Sequence, residues 1–524
     1  MLARMTNDLA PRLDRLLATL PRRYPGPGGA IAILREGEVL ARHAWGYANA
    51  ERRIPFTPQT LFRMCSITKQ FTCALVLEEG ALPEALDEAV RAQLPLLGPV
   101  TPAARLLCHN QSGLRDYWAV AMLLGAPVEG DFGDADTARL LGATASLHFA
   151  PGTRYSYCNQ NFRLLSNTLE MVRGESFATL LRTRIFARTG MGSALLAADT
   201  RALPDGTEGY EGTQASGFRA ATNRILWTGD AGLAASLDDM IAWERHIDAT
   251  RDDPASLHAR LAAPVRFADG APAPYGFGLG RAREYGRLIL GHGGALRGWR
   301  SHRFYVPEER ISVVVLFNHL SDAHAAALDA LAALLGEARA TSLPDLPPPP
   351  WLGAYREPET GLAVRVEAQA DGAVLLRYGA GPERLALQGE GSATNGRTRL
   401  RPEADGLWMD RPQENQSSRL VPCRGEVPQD IAGRFLCAEL GATLEVSLAG
   451  GVAYGAFSGW LGAGRMELLE PIGPDLWALP CPRALDHAPP GDWTLAFSRD
   501  RAGRVIGVRV GCWLARGLDY RRVE

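Results

Sequence analysis

Missing features narrow the function of this sequence before any motif does. No run of about 18 apolar residues is present, the length a helix needs to span a bilayer, so no membrane segment is expected. The first 21 residues interleave Arg4, Asp8, Arg12, Asp14 and Arg15 with Leu9, Leu13, Leu16, Leu17 and Leu20. That pattern makes an amphipathic helix and lacks the continuous apolar stretch of a signal peptide. The eight cysteines form no C-x-x-C and no close-set Cys/His cluster, so no metal site or cofactor is expected, and reduced thiols in a cytoplasmic protein are. Excess charge is missing too: 56 Lys plus Arg against 58 Asp plus Glu leave a net charge of -2, so neither nucleic acid nor an anionic membrane is an expected partner. With 46% hydrophobic and 22% charged residues over 524 positions, the chain has material for several packed cores and about three domains.

What is present centres on Met64 to Thr72, which contains Ser66-Ile67-Thr68-Lys69. If this segment is a helix entered near Cys65, the three-residue separation puts Ser66 and Lys69 on one face about a turn apart. A serine hydroxyl attacks poorly until a neighbour takes its proton, and a lysine with an ordinary pKa of about 10.4 is neutral in only about one molecule in a few thousand at pH 7. Lys69 therefore has to be desolvated, or placed among other cations, to act as a base. On its own S-x-x-K also fits an ordinary helix start with Ser66 as cap. Cys65 and Cys158 lie beside motif residues and are the candidates for thiols that face a cleft.

Along the chain, residues 30–34 and 39–45 flank Glu36-Gly37 and predict a hairpin. Ser236 and Asp239 read as a capping box at a helix start. Residues 275–279, 287–291, 303–306 and 311–317 read as strands, and 323–335 as a closing helix. Strands at both ends with helices between them predict an α/β (α+β) domain over residues 1–341, with flanking helices on one antiparallel sheet. Five prolines among residues 342–350 predict a stiff connector. Beyond it helical periodicity gives way to alternation. Gly353-Ala354-Tyr355, followed by Gly361, Val364 and Val366, recurs as Gly433-Arg434-Phe435, followed by Gly441, Leu444 and Val446, so two small antiparallel β-barrels are expected at 351–427 and 428–524.

Two further segments join the first. Tyr157-Cys158-Asn159 follows a Pro151-Gly152 turn, and His292-Gly293-Gly294-Ala295 ends a strand with residues that expose backbone to a ligand. Each alone is commonplace, but S-x-x-K, then Y-x-N, then H-G-G in that order resembles the penicillin-recognising serine hydrolases, the group of class C β-lactamases and DD-peptidases. Asn110 to Leu114, Tyr275 to Leu279, Gly291 to Arg300 and the closing Gly511 to Gly517 extend the likeness to the bacterial D-aminopeptidases of that group, barrels included.

The resemblance implies Ser66 as nucleophile, Lys69 as its partner, Tyr157 as a second proton-handling group and Asn159 as a hydrogen-bond partner of the substrate's backbone amide. The N–H groups of Ser66 and Ala295 would form the oxyanion hole, with Gly293 and Gly294 allowing close approach. His292 stands where the group usually has lysine, which replaces a fixed cation by a side chain largely neutral at pH 7 and weakens the case for holding a free C-terminal carboxylate in the manner of a DD-carboxypeptidase. A loop of the last barrel, at about 480–491, would enter the cleft and present Asp486 to a substrate amine.

The resemblance therefore implies a serine aminopeptidase that removes N-terminal D-alanine, D-serine or glycine from small peptides and amides through an acyl-enzyme. It implies a homodimer, and β-lactams as candidate weak inhibitors. The alternatives are a β-lactamase, esterase or DD-carboxypeptidase with the same motifs, or a penicillin- or peptide-binding sensor that acylates without turnover.

Overall fold

A computed structural model describes residues 9–78, 83–337, 346–480 and 491–523. The predicted hairpin is β1 (Gly28–Arg35) and β2 (Glu38–Asn49), joined at Glu36 and Gly37, whose φ values of 55° and 77° are those of a type I′ turn. With β3 (Ile54–Pro55), β4 (Tyr275–Gly276), β5 (Leu279–Glu284), β6 (Arg287–Leu296), β7 (Trp299–Val306) and β8 (Ile311–Phe317) it makes one antiparallel sheet, in the order β4-β5-β6-β7-β8-β1-β2-β3. The pairing of β1 with β8 ties the start of the domain to its end.

Helices cover both faces of this sheet, so β1 is apolar on both. Ile31 and Ile33 pack with α1 (Leu9–Arg23), through its buried Leu13, Leu16 and Leu20, and with α6 (Ala323–Leu335). Ala30, Ala32 and Leu34 face the larger core. That core also holds α2 (Thr68–Glu78), α3 (Tyr117–Leu123), α4 (Asn159–Arg173) and α5 (Leu237–Ala249). The capping box Ser236/Asp239 opens α5 as its sequence predicts. A bidentate pair, Arg303 of β7 with Glu244 of α5 at 2.7 and 2.5 Å, fastens helix to sheet where both side chains are fully buried.

Two local readings are corrected. Residues 275–279 form a turn rather than one strand: Phe277 and Gly278 are both left-handed, at φ 48° and 74°, and reverse the chain between β4 and β5. Gly278 is obligatory there, because a Cβ would lie 2.5 Å from the backbone of Lys69 and of Gln70. Strand β6 does not end at His292 but runs to Leu296 against β7, while its pairing with β5 stops at Gly291.

Beyond residue 346 the chain is all-β. Eight strands, from Gly353–Arg356 to Gln416–Pro422, form a closed antiparallel barrel. A ten-stranded antiparallel sheet follows, from Gly433–Cys437 to Ala515–Arg522. One run of chain joins its two edges: Glu467–Leu468 pairs with Val452–Gly459, and Glu470–Gly473 pairs with Leu476–Leu479. The internal repeat is visible in register. Gly353 faces Val366 and Tyr355 faces Val364 in the first unit, just as Gly433 faces Val446 and Phe435 faces Leu444 in the second. Of the proline-rich connector, residues 346–350 carry neither helix nor strand, and the rest lies outside the described residues.

Both β units touch the first domain beside α3 and the segment before α4. Asp116 N–H donates to Leu514 O at 3.0 Å, Arg115 Nε to Arg516 O at 2.9 Å, and Tyr155 N–H to Glu414 O at 3.3 Å. Among the described residues no helix is long and apolar enough to cross a membrane.

Candidate active site

Ser66 lies in a single 3-10 turn, Cys65–Ile67, that leads directly into α2. Cys65 before it has φ 52°, a conformation that costs a non-glycine residue energy and persists because the surroundings hold it. Lys69, one turn further on, is completely buried. Its Nζ donates to Ser66 Oγ at 2.9 Å, to Asn159 Oδ1 at 2.9 Å and to the Asp230 carbonyl at 2.7 Å, three acceptors for three donors and none of them a carboxylate. Burial lowers its pKa to about 8 against the opposing pull of Asp230 and Asp116. At that value roughly one molecule in ten has a neutral amine at pH 7. Lys69 is also the only lysine in the chain: every other cation among the 56 Lys plus Arg is arginine, which does not give up its proton.

Tyr157 reaches the same hydroxyl from the other side, its OH donating to Ser66 Oγ at 2.8 Å. Burial raises its pKa well above the usual phenol value, so it stands as a neutral donor. Its place is set by Asn110, which is left-handed at φ 54°. The Asn110 carbonyl accepts from Ser156 N–H at 3.0 Å and its Oδ1 from Cys158 N–H at 3.2 Å. Asn159 then begins α4. Its N–H and Nδ2 both donate to Asp116 Oδ2, at 2.6 and 2.9 Å, so its side-chain amide is engaged at both ends by protein, although its Oδ1 keeps a second lone pair.

Beyond Gly291, β6 presents an edge free of β5. Gly294 backs onto the nucleophile turn: a Cβ there would lie 2.4 Å from Met64 O and 3.1 Å from Cys65 Cβ. At Gly293 a Cβ would lie 3.1 Å from His302 Nδ1. Ala295, next along the same edge, pairs with Arg300 of β7. His292 Nδ1 lies 2.5 Å from the Gly293 carbonyl, which makes Nδ1–H the donor and leaves Nε2 to accept from Tyr275 OH at 3.1 Å. Burial and the neighbouring Lys69 lower its pKa to about 3, so His292 is a neutral polar group.

Neither of the two thiols is exposed. Cys65 is fully buried, with Sγ donating to Arg63 O at 3.1 Å, and burial pushes its pKa up to about 12. Cys158 is buried and raised in the same way. Asp486 lies outside the described residues. Asp116 and Asp230 carry the site's electrostatics without belonging to any motif, while Asn110, which opens one of the segments of the resemblance, gives the site its shape. The single-lysine composition was open to reading in the sequence, but the spacing of S-x-x-K makes no use of it.

A serine between a buried amine and a phenol, at the start of a helix and beside the open strand edge of an antiparallel sheet, defines a serine hydrolase of the β-lactamase type. Residues 13–338 match the family model described as Beta-lactamase, and residues 345–521 match D-aminopeptidase, domain B. The D-aminopeptidase of Gluconobacter oxydans (strain 621H) is 56% identical over 99% of this chain and 100% of its own length, and that of Brucella ovis is 48% identical over the same shares. The chain belongs to the D-aminopeptidase family of these hydrolases. The fold is shared with an octameric penicillin-binding protein homologue from Pyrococcus abyssi, at TM-score 0.55 and 22% identity over 79% of this chain and 100% of that one. It is also shared with the D-amino acid amidase of Ochrobactrum anthropi SV3 complexed with L-phenylalanine amide, at TM-score 0.51 and 19% identity over 63% and 99%.

Proposed function

We propose that this protein is a serine aminopeptidase that hydrolyses N-terminal D-residues, such as D-alanine, D-serine or glycine, from small peptides and amides with a free amine. The observation that carries this is Ser66 Oγ held at 2.9 Å from Lys69 Nζ and 2.8 Å from Tyr157 OH, in a chain similar over its full length to D-aminopeptidases. In the neutral fraction Lys69 takes the Ser66 proton as Oγ attacks the scissile carbonyl carbon. The N–H groups of Ser66 and Ala295 hold the oxyanion, while Gly293 and Gly294 let β6 approach it. Tyr157 hands a proton to the departing amine and is reprotonated from Lys69, leaving an acyl-enzyme ester. Water then cleaves the ester by the reverse relay. Asn159 fixes Lys69 on Ser66, and its free lone pair accepts from the substrate amide.

His292 being neutral favours this reading over a DD-carboxypeptidase, whose third motif supplies a cation. Reduced cysteines fit a cytoplasmic location. A homodimer and weak inhibition by β-lactams complete the proposal. The test is purified protein with D-alanine, L-alanine and glycine p-nitroanilides beside a chromogenic cephalosporin. Steady turnover of the D-alanine and glycine anilides is expected. Turnover of the cephalosporin alone would make the protein a β-lactamase, and a burst with no steady state would make it a sensor. Asp486 is proposed to meet the substrate ammonium, so Asp486→Ala should lower kcat/KM for D-alanine p-nitroanilide by about tenfold or more and spare an N-acetylated analogue.

A further inference from the structure

We infer that the cleft also binds the free carboxylate of a short peptide, using Arg397 of the first barrel and Arg281 of β5, so that peptides are preferred over neutral amides. This rests on the aminopeptidase reading and extends it to the leaving side of the substrate. A cavity of 360 Å³ is lined by Tyr157, His292 and Gly293, and the same cavity reaches Arg281 and Arg397. The amine that leaves must stand beside Tyr157 to be protonated, so this cavity takes the part of the peptide after the scissile bond. In a dipeptide that part is one residue, and its carboxylate lies within about 3.3–3.6 Å per residue of extended chain.

The cavity's charge suits an anion. No Asp or Glu lines it among the described residues. Arg281 is half-buried and donates to Ala262 O at 2.6 Å, and burial depresses its pKa with no carboxylate offsetting the cost. A cation held out of water without a counter-charge is unfavourable until an anion arrives. Arg397 sits on a fixed tip: Gly396 is left-handed at φ 82°, and Asn395 Oδ1 accepts from the N–H of Arg397 at 2.9 Å and of Thr398 at 2.8 Å. Its guanidinium has no acidic partner among the described residues. Other arginines of the same barrel do have one, including Arg365, Arg377, Arg384, Arg399 and Arg411. A guanidinium fork matches a carboxylate, and here it would supply from outside the third motif the cation that His292 lacks.

The experiment compares D-alanylglycine with D-alanylglycinamide and reads the acid-over-amide ratio of kcat/KM. Wild type should favour the acid, less so as salt rises. Arg397→Ala should lower the ratio by about two- to fivefold, the scale of an exposed pair, and Arg397→Glu by more. Arg281→Met should lower it by about tenfold, the scale of a charged hydrogen bond in a drier place. Arg397 lies on an exposed turn, so its variants keep the test alive if Arg281→Met fails to fold. Hydrolysis of both substrates with a ratio unmoved by Arg397→Glu would overturn the carboxylate site and leave the aminopeptidase reading standing. Hydrolysis of neither by wild type would overturn both.

Discussion

Arg303 and Lys69 are both buried completely in the catalytic domain, yet the surroundings treat the two cations in opposite ways. Arg303 faces Glu244 through two parallel hydrogen bonds, and Ser312 Oγ donates to the same carboxylate at 2.8 Å. Lys69 donates to a hydroxyl, an amide oxygen and a main-chain carbonyl and to no carboxylate, while the nearby acids are occupied elsewhere: Asp116 takes Asn159, and Asp230 takes Tyr117 OH at 2.5 Å. A paired cation stays charged and holds a helix on a sheet. An unpaired one, kept out of water, releases its proton near neutral pH and so can serve as a base.

Breaking the unpaired site should produce the largest effect. Lys69→Met and Ser66→Ala should each lower kcat by about 10³-fold or more, with the double variant scarcely worse, because the two act as one proton-transfer unit. Lys69→Arg should be as damaging despite keeping the charge, since arginine supplies no neutral form. Activity of Lys69→Arg within tenfold of wild type would mean that only the charge matters.

Breaking the paired site should cost stability instead. Glu244→Ala leaves Arg303 buried without its counter-charge and should lower unfolding free energy by about 3–5 kcal/mol, read from denaturant midpoints, with kcat of the folded fraction unchanged. Replacing both partners by apolar residues of similar volume should recover much of that loss.

A finer change sharpens the contrast. Asp116 raises the Lys69 pKa, and its own carboxyl, pushed up by burial to about 6, is ionised where the enzyme would work. Asp116→Asn removes that negative charge, favours the neutral amine and should move the acid limb of Ser66 modification to lower pH. A fluorophosphonate is the suitable probe, having no amine of its own to titrate. A limb that did not move would mean Asp116 acts by geometry alone.

The parts of this account legible in sequence are those fixed over short distances. The hairpin at Glu36-Gly37, the capping box at Ser236, the S-x-x-K turn and the repeat shared by Gly353 and Gly433 are local signals, and each element forms in the expected place. Phe277-Gly278 was misleading because its alternation mimics a strand, whereas the turn is dictated by close approach to Lys69 from far along the chain. Asp116 and Asp230 carry no pattern at all. Their effect on Lys69 exists only after α2, α3 and α4 pack together, and the same packing, rather than any adjacency in sequence, buries the thiols of Cys65 and Cys158.

Because the chain has a single lysine, its proton can be followed without assignment. Protein labelled with lysine carrying ¹³C at the ε position should give one side-chain NMR signal, and titration of that signal reports Lys69 directly. The account predicts a midpoint near 8, moved downward in Asp116→Asn. A midpoint at the ordinary lysine value of about 10.4 would contradict it, because Lys69 would then be a fixed cation and the base for Ser66 would have to be sought elsewhere.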